Sequence, residues 1–282
     1  MPMAKTALLP DRSVIAVTGP DAEKLLQGVI TNDMALLADQ PAIFAGLLTP
    51  QGKILAEFFV AKAGDGFLLD IATAQAGELV KRLALYKLRA KVDIRDATAE
   101  HAVLAVWGSE TQGMVSFPDP RLPALGLRVL AETGTTNGTN AALTDYDVHR
   151  IQLGVPEGGK DYAIPDTFPH EANFDLLNGV SFTKGCFIGQ EVVSRMQHRG
   201  TARKRIVIID GEGPLTSAAQ ITAGPATIGA IGSVAGSQGL ALIRLDRAEE
   251  AKTKGVGLAA GETRITVRMP GYMKLPAGAA AP

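Results

Sequence analysis

Cysteine is almost missing from this chain, which has one among its 282 residues. A single thiol excludes an internal disulfide framework. It also excludes a self-contained iron–sulfur site, because such a site needs about four protein ligands. Since disulfides persist in oxidising compartments, the lack of a cysteine pair predicts a reducing compartment, and we expect a cytoplasmic location.

An excess of charge of one sign is also missing, because 28 Lys and Arg stand against 29 Asp and Glu. Nucleic acid is therefore not expected as the main partner. We expect no targeting segment in the first residues, which lack a long apolar run. The uncharged stretch 213–243 contains Pro225 and six glycines, so it predicts short strands and turns, and we expect no membrane partner.

Several sequence motifs are absent as well. None of the four histidines forms a His-x-x-x-His or His-Glu-x-x-His pattern, so we predict no metal ligands of the helical zinc type. No Walker sequence occurs, and the stretch from Gly185 to Gly189 lacks the Gly-x-Gly-x-x-Gly spacing. A nucleotide-phosphate loop is therefore not expected.

The chemistry is concentrated in residues 182–200, which read FTKGCFIGQEVVSRMQHRG. Cys186 lies here between Gly185 and Gly189, with Lys184 two residues before it and Arg195 nine residues after it. A thiolate is the nucleophile and metal ligand among cysteine forms, and neighbouring cations stabilise it. Cys186 and Lys184 are therefore the candidate catalytic residues. The structural alternative is a turn whose cysteine only packs.

The residues around the cysteine have their own predicted roles. Gly185 and Gly189 would allow a tight turn with exposed backbone N–H groups. Gln190 or Glu191 would hold this turn by hydrogen bonds, and Lys184 with Arg195 would stabilise the thiolate. His170 and His198 flank the segment, and either a surface position or an approach to Cys186 is open for both.

An acidic series precedes the cysteine segment: Glu157, Asp161, Glu171 and Asp175. Carboxylates in a cleft can accept hydrogen bonds from the amino-pyrimidine edge of a pterin ring, and they can equally cap loops. Glu171 lies in a stretch without regular secondary structure, where functional side chains are common. It is therefore the member of the series that we expect to bind a ligand.

The local patterns predict a mixture of helices and strands. Residues 21–27 follow Pro20 as a short helix, and Gly64-Asp65-Gly66 predicts a hairpin between strands 54–60 and 66–71. Thr73 would cap a helix with apolar side chains at helical spacing. Strands and helices mixed in this way indicate an α+β fold. Beyond Arg205, short β-prone pieces alternate with glycine turns and predict a C-terminal β-barrel.

The stretch KGCFIGQE with its trailing HRG resembles the signature of the folate-binding YgfZ-type proteins. These are relatives of the glycine-cleavage T-protein, an aminomethyltransferase, and mitochondrial iron–sulfur assembly factors have a similar signature. The likeness covers most of residues 12–245. It includes these further stretches: LLQGVITNDM at 25–34, LLTPQGKILAEFFV at 47–60, DPR at 119–121, LGLR at 125–128, RI at 150–151 and GVPEG at 154–158.

One departure from the T-proteins affects the expected activity. After the glycine equivalent to Gly52, T-proteins carry an aspartate pair that includes their catalytic acid. This chain has Leu55 and Ala56 there, and neither side chain can transfer a proton. Glu57 is close, but adjacent strand residues point to opposite faces.

The resemblance implies a T-protein-like, multi-domain α+β arrangement around a central folate-sized hole, with the barrel alongside. It implies a tetrahydrofolate-binding accessory protein for assembly or repair of iron–sulfur clusters, whose partners are iron–sulfur client or scaffold proteins. The expected folate-binding residues are Asn32, Arg150, Glu171, Gly185, Gly189, Gln190, Glu191 and Arg195. The expected domains are 1–95 (N-terminal folate-binding region), 96–145 (middle domain), 146–203 (connecting region with the motif), 204–275 (barrel) and 276–282 (disordered tail).

Two other functions are open at this point. A folate-dependent one-carbon transferase of the T-protein type would need another acid, for which Glu57 is the candidate. A non-catalytic binding scaffold would bind no folate.

Overall fold

A computed structural model of the chain describes residues 4–108, 115–134, 138–200 and 202–273. The predicted disordered tail, 276–282, lies outside these ranges. The chain divides into two compact units: unit 1 contains residues 1–146 and 177–194, and unit 2 contains residues 147–176 and 195–282. The predicted regions 1–95 and 96–145 both fall in unit 1, while residues 146–203 are shared between the units. The five-part division remains a prediction.

Unit 1 contains a five-stranded antiparallel sheet in the order β3-β4-β5-β2-β6. Its strands are β2 (Arg12–Thr18), β3 (Ala42–Leu48), β4 (Ile54–Ala63), β5 (Gly66–Ala72) and β6 (Asp93–Asp96). The predicted hairpin is present, since Ala63 pairs with Gly66. β3 is buried along its whole length, so apolar residues occupy both of its faces.

Two helices pack on one face of this sheet. They are α1 (Ala22–Val29) and α2 (Thr73–Lys87). α1 buries positions 22, 25, 26 and 29, the spacing of one helical face. The two helices enclose a core with alternate residues of the strands, including Ala56, Phe58 and Val60 of β4.

The predicted cap of α2 is wrong. Ala72 is the N-cap residue and makes no side-chain capping bond, because β5 runs directly into the helix. Thr73 is the first helical residue, and its hydroxyl accepts a hydrogen bond from Ser13 at 3.0 Å. The side chain therefore ties the helix to β2.

A second antiparallel sheet of unit 1 has the order β1-β7-β9-β8. Its strands are β1 (Lys5–Leu8), β7 (His101–Trp107), β8 (Val115–Pro118) and β9 (Leu127–Glu132). Two 3-10 turns, Met34–Ala38 and Pro123–Leu125, and two helices, α3 (Leu143–Leu153) and α4 (Gln190–Arg199), complete the elements before the barrel. The division between the units falls inside both helices.

Charged side chains form a buried cluster in unit 1. Arg128 is 1% exposed and lies with Asp70 and Asp119 at ion-pair distances of 3.6 and 3.5 Å. It also donates to the Tyr146 hydroxyl at 3.0 Å and covers the Phe59 ring at 4.8 Å. Two more buried arginines complete the cluster: Arg12 on Asp70, and Arg121 on Asp119 and Tyr146. Three cations therefore share two carboxylates inside the unit.

Unit 2 contains the closed barrel that the glycine-rich pattern predicts. Its strand order is β10-β13-β12-β11-β14-β15. The strands are β10 (Lys204–Gly211), β11 (Gln220–Ala223), β12 (Ala226–Ala235), β13 (Gln238–Arg244), β14 (Leu258–Ala260) and β15 (Thr263–Arg268). Helix α5 (Leu245–Thr253) links β13 to β14 and packs against the barrel core.

Residues 147–176 cover the outside of β10, so this strand is buried on both faces. Val207 and Ile209 point into the barrel core, while Ile206 and Ile208 are also almost fully buried. Asn173 donates to the Ile206 carbonyl at 2.9 Å. Within the described residues, no helix is both long and apolar enough to cross a bilayer.

Candidate functional site

Cys186 lies in an irregular loop of unit 1 that runs from Leu177 to Gly189. The residue is exposed and its thiol is free of any disulfide. Among the described residues, no hydrogen bond or ion pair involves this thiol. The sulfur is therefore accessible to a reagent or partner from outside, and it does not fill a core.

The Lys184 side chain points away from solvent and links the loop to residues 30–32. It is 6% exposed, and its Nζ donates to the carbonyls of Ile30 and Asn32 at 2.7 and 2.8 Å. The ammonium also lies 5.2 Å from the centre of the Phe187 ring. Burial lowers the pKa of Lys184 from 10.5 to about 8, although Asp33 opposes this shift.

In this geometry Lys184 holds the loop in place by hydrogen bonds to the backbone. Two of its three N–H groups are committed to backbone carbonyls, so they are not directed at a reacting group. A direct catalytic role for Lys184 and stabilisation of the Cys186 thiolate by its charge remain predictions.

Thr31 and Asn32 form the anchor to which the loop is attached. The Thr31 hydroxyl donates to the Gly179 carbonyl at 2.5 Å and accepts from the Gly46 N–H of β3 at 2.8 Å. Asn32 Nδ2 donates to the carbonyls of Phe44 and Asn178 at 2.8 and 2.7 Å. Both side chains are almost fully buried, and neither Thr31 nor its role was evident from the sequence pattern.

Gly189 closes the loop against a tight turn at residues 49–52. Its φ of +81° is in the left-handed region, and a Cβ there would lie 2.7 Å from the Thr49 carbonyl oxygen and 3.0 Å from the Gly52 Cα. Only glycine fits this close approach. Gly185 differs, since a Cβ there would meet no atom within 4 Å. The predicted glycine turn therefore depends on Gly189.

The other motif residues begin the following helix. α4 starts at Gln190, whose side chain makes no hydrogen bond among the described residues. Glu191 is exposed in the first turn, and Arg195 is exposed in the part of the helix that belongs to unit 2. Their predicted contacts with folate remain predictions.

Arg150 is buried in unit 2 and fastens the 147–176 segment to the barrel. Its guanidinium donates to Asp147 at 2.7 Å, to Asp161 at 2.6 Å and to the Ser233 hydroxyl of β12 at 2.6 Å. Burial alone would lower the pKa of Arg150, but Asp161, Glu157 and Asp147 outweigh burial and raise it. The side chain thus has a structural role in the unit.

The acidic series is occupied mainly by contacts within unit 2. Asp161 accepts from the backbone N–H groups of Glu157 and Ser233, each at 2.8 Å. Asp175 forms a two-bond ion pair with Arg205 at 2.6 and 2.9 Å. Glu171 caps a local turn by accepting from the Phe168 N–H at 3.1 Å. Asp161 and Glu171 therefore cap loops by accepting from backbone N–H groups, and ligand binding by Glu171 remains a prediction.

The two histidines near the motif differ in exposure. His170 is 2% exposed, and its Nε2 lies 2.9 Å from the Gln197 Oε1 within unit 2. Burial lowers the pKa of His170, so the ring is neutral over a wider pH range than an exposed histidine. His198 is exposed on α4.

Strand β4 carries two apolar residues, Leu55 and Ala56, at the positions where T-proteins have the aspartate pair. Ala56 faces the core cluster, and by alternation Leu55 and Glu57 point to the opposite face of β4. Glu57 is 3% exposed, and its backbone N–H donates to Gln75 at 3.0 Å. A carboxyl group is therefore present on the face of Leu55.

The residues expected to hold tetrahydrofolate fit that ligand only in part. The side-chain polar atoms of Asn32 and the donors of Arg150 are used in internal hydrogen bonds. Among the described residues, neither the Gln190 side chain of unit 1 nor the second carboxylate oxygen of Glu171 in unit 2 makes a hydrogen bond. In the described ranges, no group of three or more His, Cys, Asp or Glu side chains could hold a metal ion.

Comparison with known proteins identifies the families that the chain is similar to. Residues 11–117 match the GCVT N-terminal domain, and residues 203–275 match the CAF17 C-terminal beta-barrel domain. A crystal structure of the glycine cleavage system aminomethyltransferase T from Bartonella henselae superposes with a TM-score of 0.78. That match covers 95% of this chain and 86% of the other, and its 17% identity speaks for the fold alone.

Several curated relatives are named iron–sulfur cluster assembly factor IBA57, mitochondrial, or a homolog of it. The Mycosarcoma maydis protein is 38% identical over 72% of this chain and 56% of its own length. The Neurospora crassa protein is 33% identical over 71% and 52%. The chain thus spans about half the length of these two relatives. The Mus musculus protein is 34% identical over 84% of this chain and 76% of its own.

These similarities confirm the resemblance and the T-protein-like α+β fold with its C-terminal barrel. The predicted cytoplasmic location is wrong, because the relatives are named as mitochondrial proteins. The lack of paired cysteines predicted a reducing compartment, and that property alone does not single out the cytoplasm.

Proposed function

The chain belongs to the family of iron–sulfur cluster assembly factors named IBA57, and from this membership we propose that it assists the assembly or repair of iron–sulfur clusters in client enzymes. The observation that carries the proposal is the accessible Cys186 thiol on a loop fixed by buried bonds. A loop anchored in this way presents its sulfur at a defined place without blocking access to it.

The chemistry available to Cys186 is ligation of iron. The thiol would lose its proton to solvent, and the sulfur would replace one ligand on an iron of a cluster carried by another protein, so that one sulfur–iron bond forms as the bond to the departing ligand breaks. One thiolate supplies one of the roughly four ligands that a cluster needs. Since this chain has a single cysteine, a second copy of the chain or a partner such as an iron–sulfur scaffold or client must supply the others.

A complementation experiment tests this role. In a strain that lacks the native gene, Cys186→Ser should fail to restore the activity of a four-iron enzyme, whereas the wild-type chain restores it. Thr183→Ala is the matched control, because Thr183 is exposed in the same loop and makes only 3.4 Å contacts with Ser181. Full rescue by Cys186→Ser, at equal protein levels, would contradict the proposal.

Tetrahydrofolate binding is the finer part of the proposal. It is supported by the T-protein-like fold and by the Gln190 side chain of unit 1, which makes no hydrogen bond among the described residues. We assign no chemical step to folate. Calorimetry of the purified chain with tetrahydrofolate tests binding, and Gln190→Ala should weaken it while Cys186→Ser leaves it unchanged. If no heat of binding is measured, the folate part is wrong and the chain acts without this ligand.

A folate-dependent one-carbon transferase is the second candidate, and the buried Glu57 is the observation that favours it. The apolar pair Leu55 and Ala56 weighs against it. Transfer of a one-carbon unit from a model amine to tetrahydrofolate, lost in Glu57→Gln, would support this activity.

A further inference from the structure

Two leucines at the end of α2 in unit 1 are exposed to an unusual degree. Leu88 is 86% exposed and Leu85 is 57% exposed. Leu88 directly follows the helix and has a φ of +46°, a backbone conformation that is costly for any residue with a Cβ. Its side chain packs against almost nothing in its own unit. The backbone thus directs an apolar side chain into solvent at a position where that side chain contributes little to the packing of its own unit.

A groove lies next to these leucines, between α1 and the end of α2. Its volume is about 420 Å³, and its apolar lining consists of Leu25, Val29, Tyr86 and Ala90. Gly28 of α1 also lines it, and a Cβ at Gly28 would meet no atom within 4 Å. The surface therefore combines a projecting side chain with an adjacent recess.

Positive charge predominates beside the groove, although Asp21 also lines it and accepts a hydrogen bond from the Lys91 backbone N–H at 2.8 Å. Residues 79–92 contain five Lys and Arg and no Asp or Glu, in a chain whose net charge is −1. Arg82 pairs with Glu78, and Lys87 donates to the Val92 carbonyl. The side chains of four exposed cations, by contrast, have no ion pair among the described residues: Lys24, Lys81, Arg89 and Lys91.

We propose that this surface, formed by Lys24, Gly28, Lys81, Leu85, Leu88, Arg89 and Lys91, docks an acidic segment of a partner protein. An apolar side chain of the segment fills the groove, its carboxylates face the unpaired cations, and an apolar recess of the partner receives Leu88. Exposed apolar residues beside a recess are typical of interaction sites. Unpaired charges of one sign select a partner of the other sign.

Other occupants fit the surface less well. A second copy of this chain, docked by the same surface about a two-fold axis, would bring like charges together. A membrane favours a broad apolar face with cations and not a recess. Single-stranded nucleic acid uses exposed aromatic platforms, whereas Tyr86 is half-buried here. The proposal does not depend on the chemistry at Cys186.

Photo-crosslinking in cells gives the first test. The full chain carries benzoylphenylalanine in place of Leu88, and a control carries it in place of Asp65, which is exposed at the β4–β5 hairpin of the same unit. We expect a protein adduct at position 88 that position 65 does not form, with the crosslinked peptide rich in Asp and Glu. No adduct, an adduct with lipid, nucleic acid or this chain itself, or a peptide without acids would overturn the proposal.

The crosslinked peptide is then synthesised and titrated into the purified full chain. Leu88→Ser, Gly28→Phe and the pair Lys81→Glu with Arg89→Glu should each weaken binding at least tenfold. A Cβ at Gly28 would meet no atom within 4 Å, so Gly28→Phe should place its ring in the groove and fold normally. Lys62→Glu, an exposed charge reversal elsewhere in unit 1, should leave binding within twofold. Equal affinity for all variants would refute the proposal, even if Cys186 is essential for cluster assembly.

Discussion

Alanine in place of Gly189 should destabilise unit 1, whereas alanine in place of Gly185 should not. The left-handed φ of Gly189 costs an alanine about 1–2 kcal/mol. The Cβ would also lie 2.7 Å from the Thr49 carbonyl oxygen, and overpacking of this kind costs about 1–3 kcal/mol. The expected loss is therefore about 2–5 kcal/mol of unfolding free energy.

Gly185→Ala is the matched control, because its Cβ would point into open space. It should leave the unfolding free energy within about 0.5 kcal/mol of the wild-type value, or raise it slightly by restricting the unfolded chain. Both glycines lie in the same loop, so the comparison separates the Gly189 contact from any general effect of an added methyl group.

Urea unfolding followed by tryptophan fluorescence measures the difference. Trp107 is the only tryptophan of the chain, it is buried, and it lies in unit 1 with both glycines. With a urea dependence of about 3 kcal/mol/M, a loss of 3 kcal/mol lowers the midpoint by about 1 M. Equal midpoints for the two variants would refute the packing argument for the Cys186 loop.

Three further variants test buried polar groups. Between pH 8 and 10.5, the unfolding free energy of the wild-type chain should rise by on the order of 2 kcal/mol relative to that of Lys184→Met, because the lysine of the unfolded chain keeps its proton to a higher pH. A difference between the two chains that stays constant across that range contradicts the lowered pKa. Asp161→Asn should cost about 3–5 kcal/mol by leaving Arg150 underpaired, as urea unfolding of unit 2 by circular dichroism would show. Tyr146→Phe should cost about 1–3 kcal/mol, because the Arg128 and Arg121 donors lose their acceptor; Trp107 fluorescence would report it, and an unchanged midpoint argues against those bonds.

The sequence predicted those features that depend on local pattern. Three features follow from neighbouring residues, and each is present: the Gly64–Gly66 turn, the helical spacing in α2, and the short strands of the barrel that alternate with glycine turns. Strands β2 and β3 are buried on both faces and carry no alternation, so their pattern gave no comparable signal.

The candidate site was predicted only in its residue content. Lys184 lies two residues from Cys186 in sequence, which suggested a role for its charge there. Its hydrogen-bond acceptors, however, are the carbonyls of Ile30 and Asn32, more than 150 residues earlier in the chain. In the same way, Arg150 finds Ser233 across 83 residues. Partners this distant in the chain are set by tertiary packing, which no local spacing encodes.

The interleaving of the two units along the chain has a consequence for biosynthesis. Unit 1 lacks its last piece, residues 177–194, until about 50 residues after its first part has been made. At ordinary translation speeds that delay is about 2–10 s. During this time the carbonyls of Ile30 and Asn32 lack the hydrogen bonds that Lys184 donates in the folded chain. The cysteine-bearing loop can therefore pack into unit 1 only after residues 147–176 of unit 2 have been synthesised.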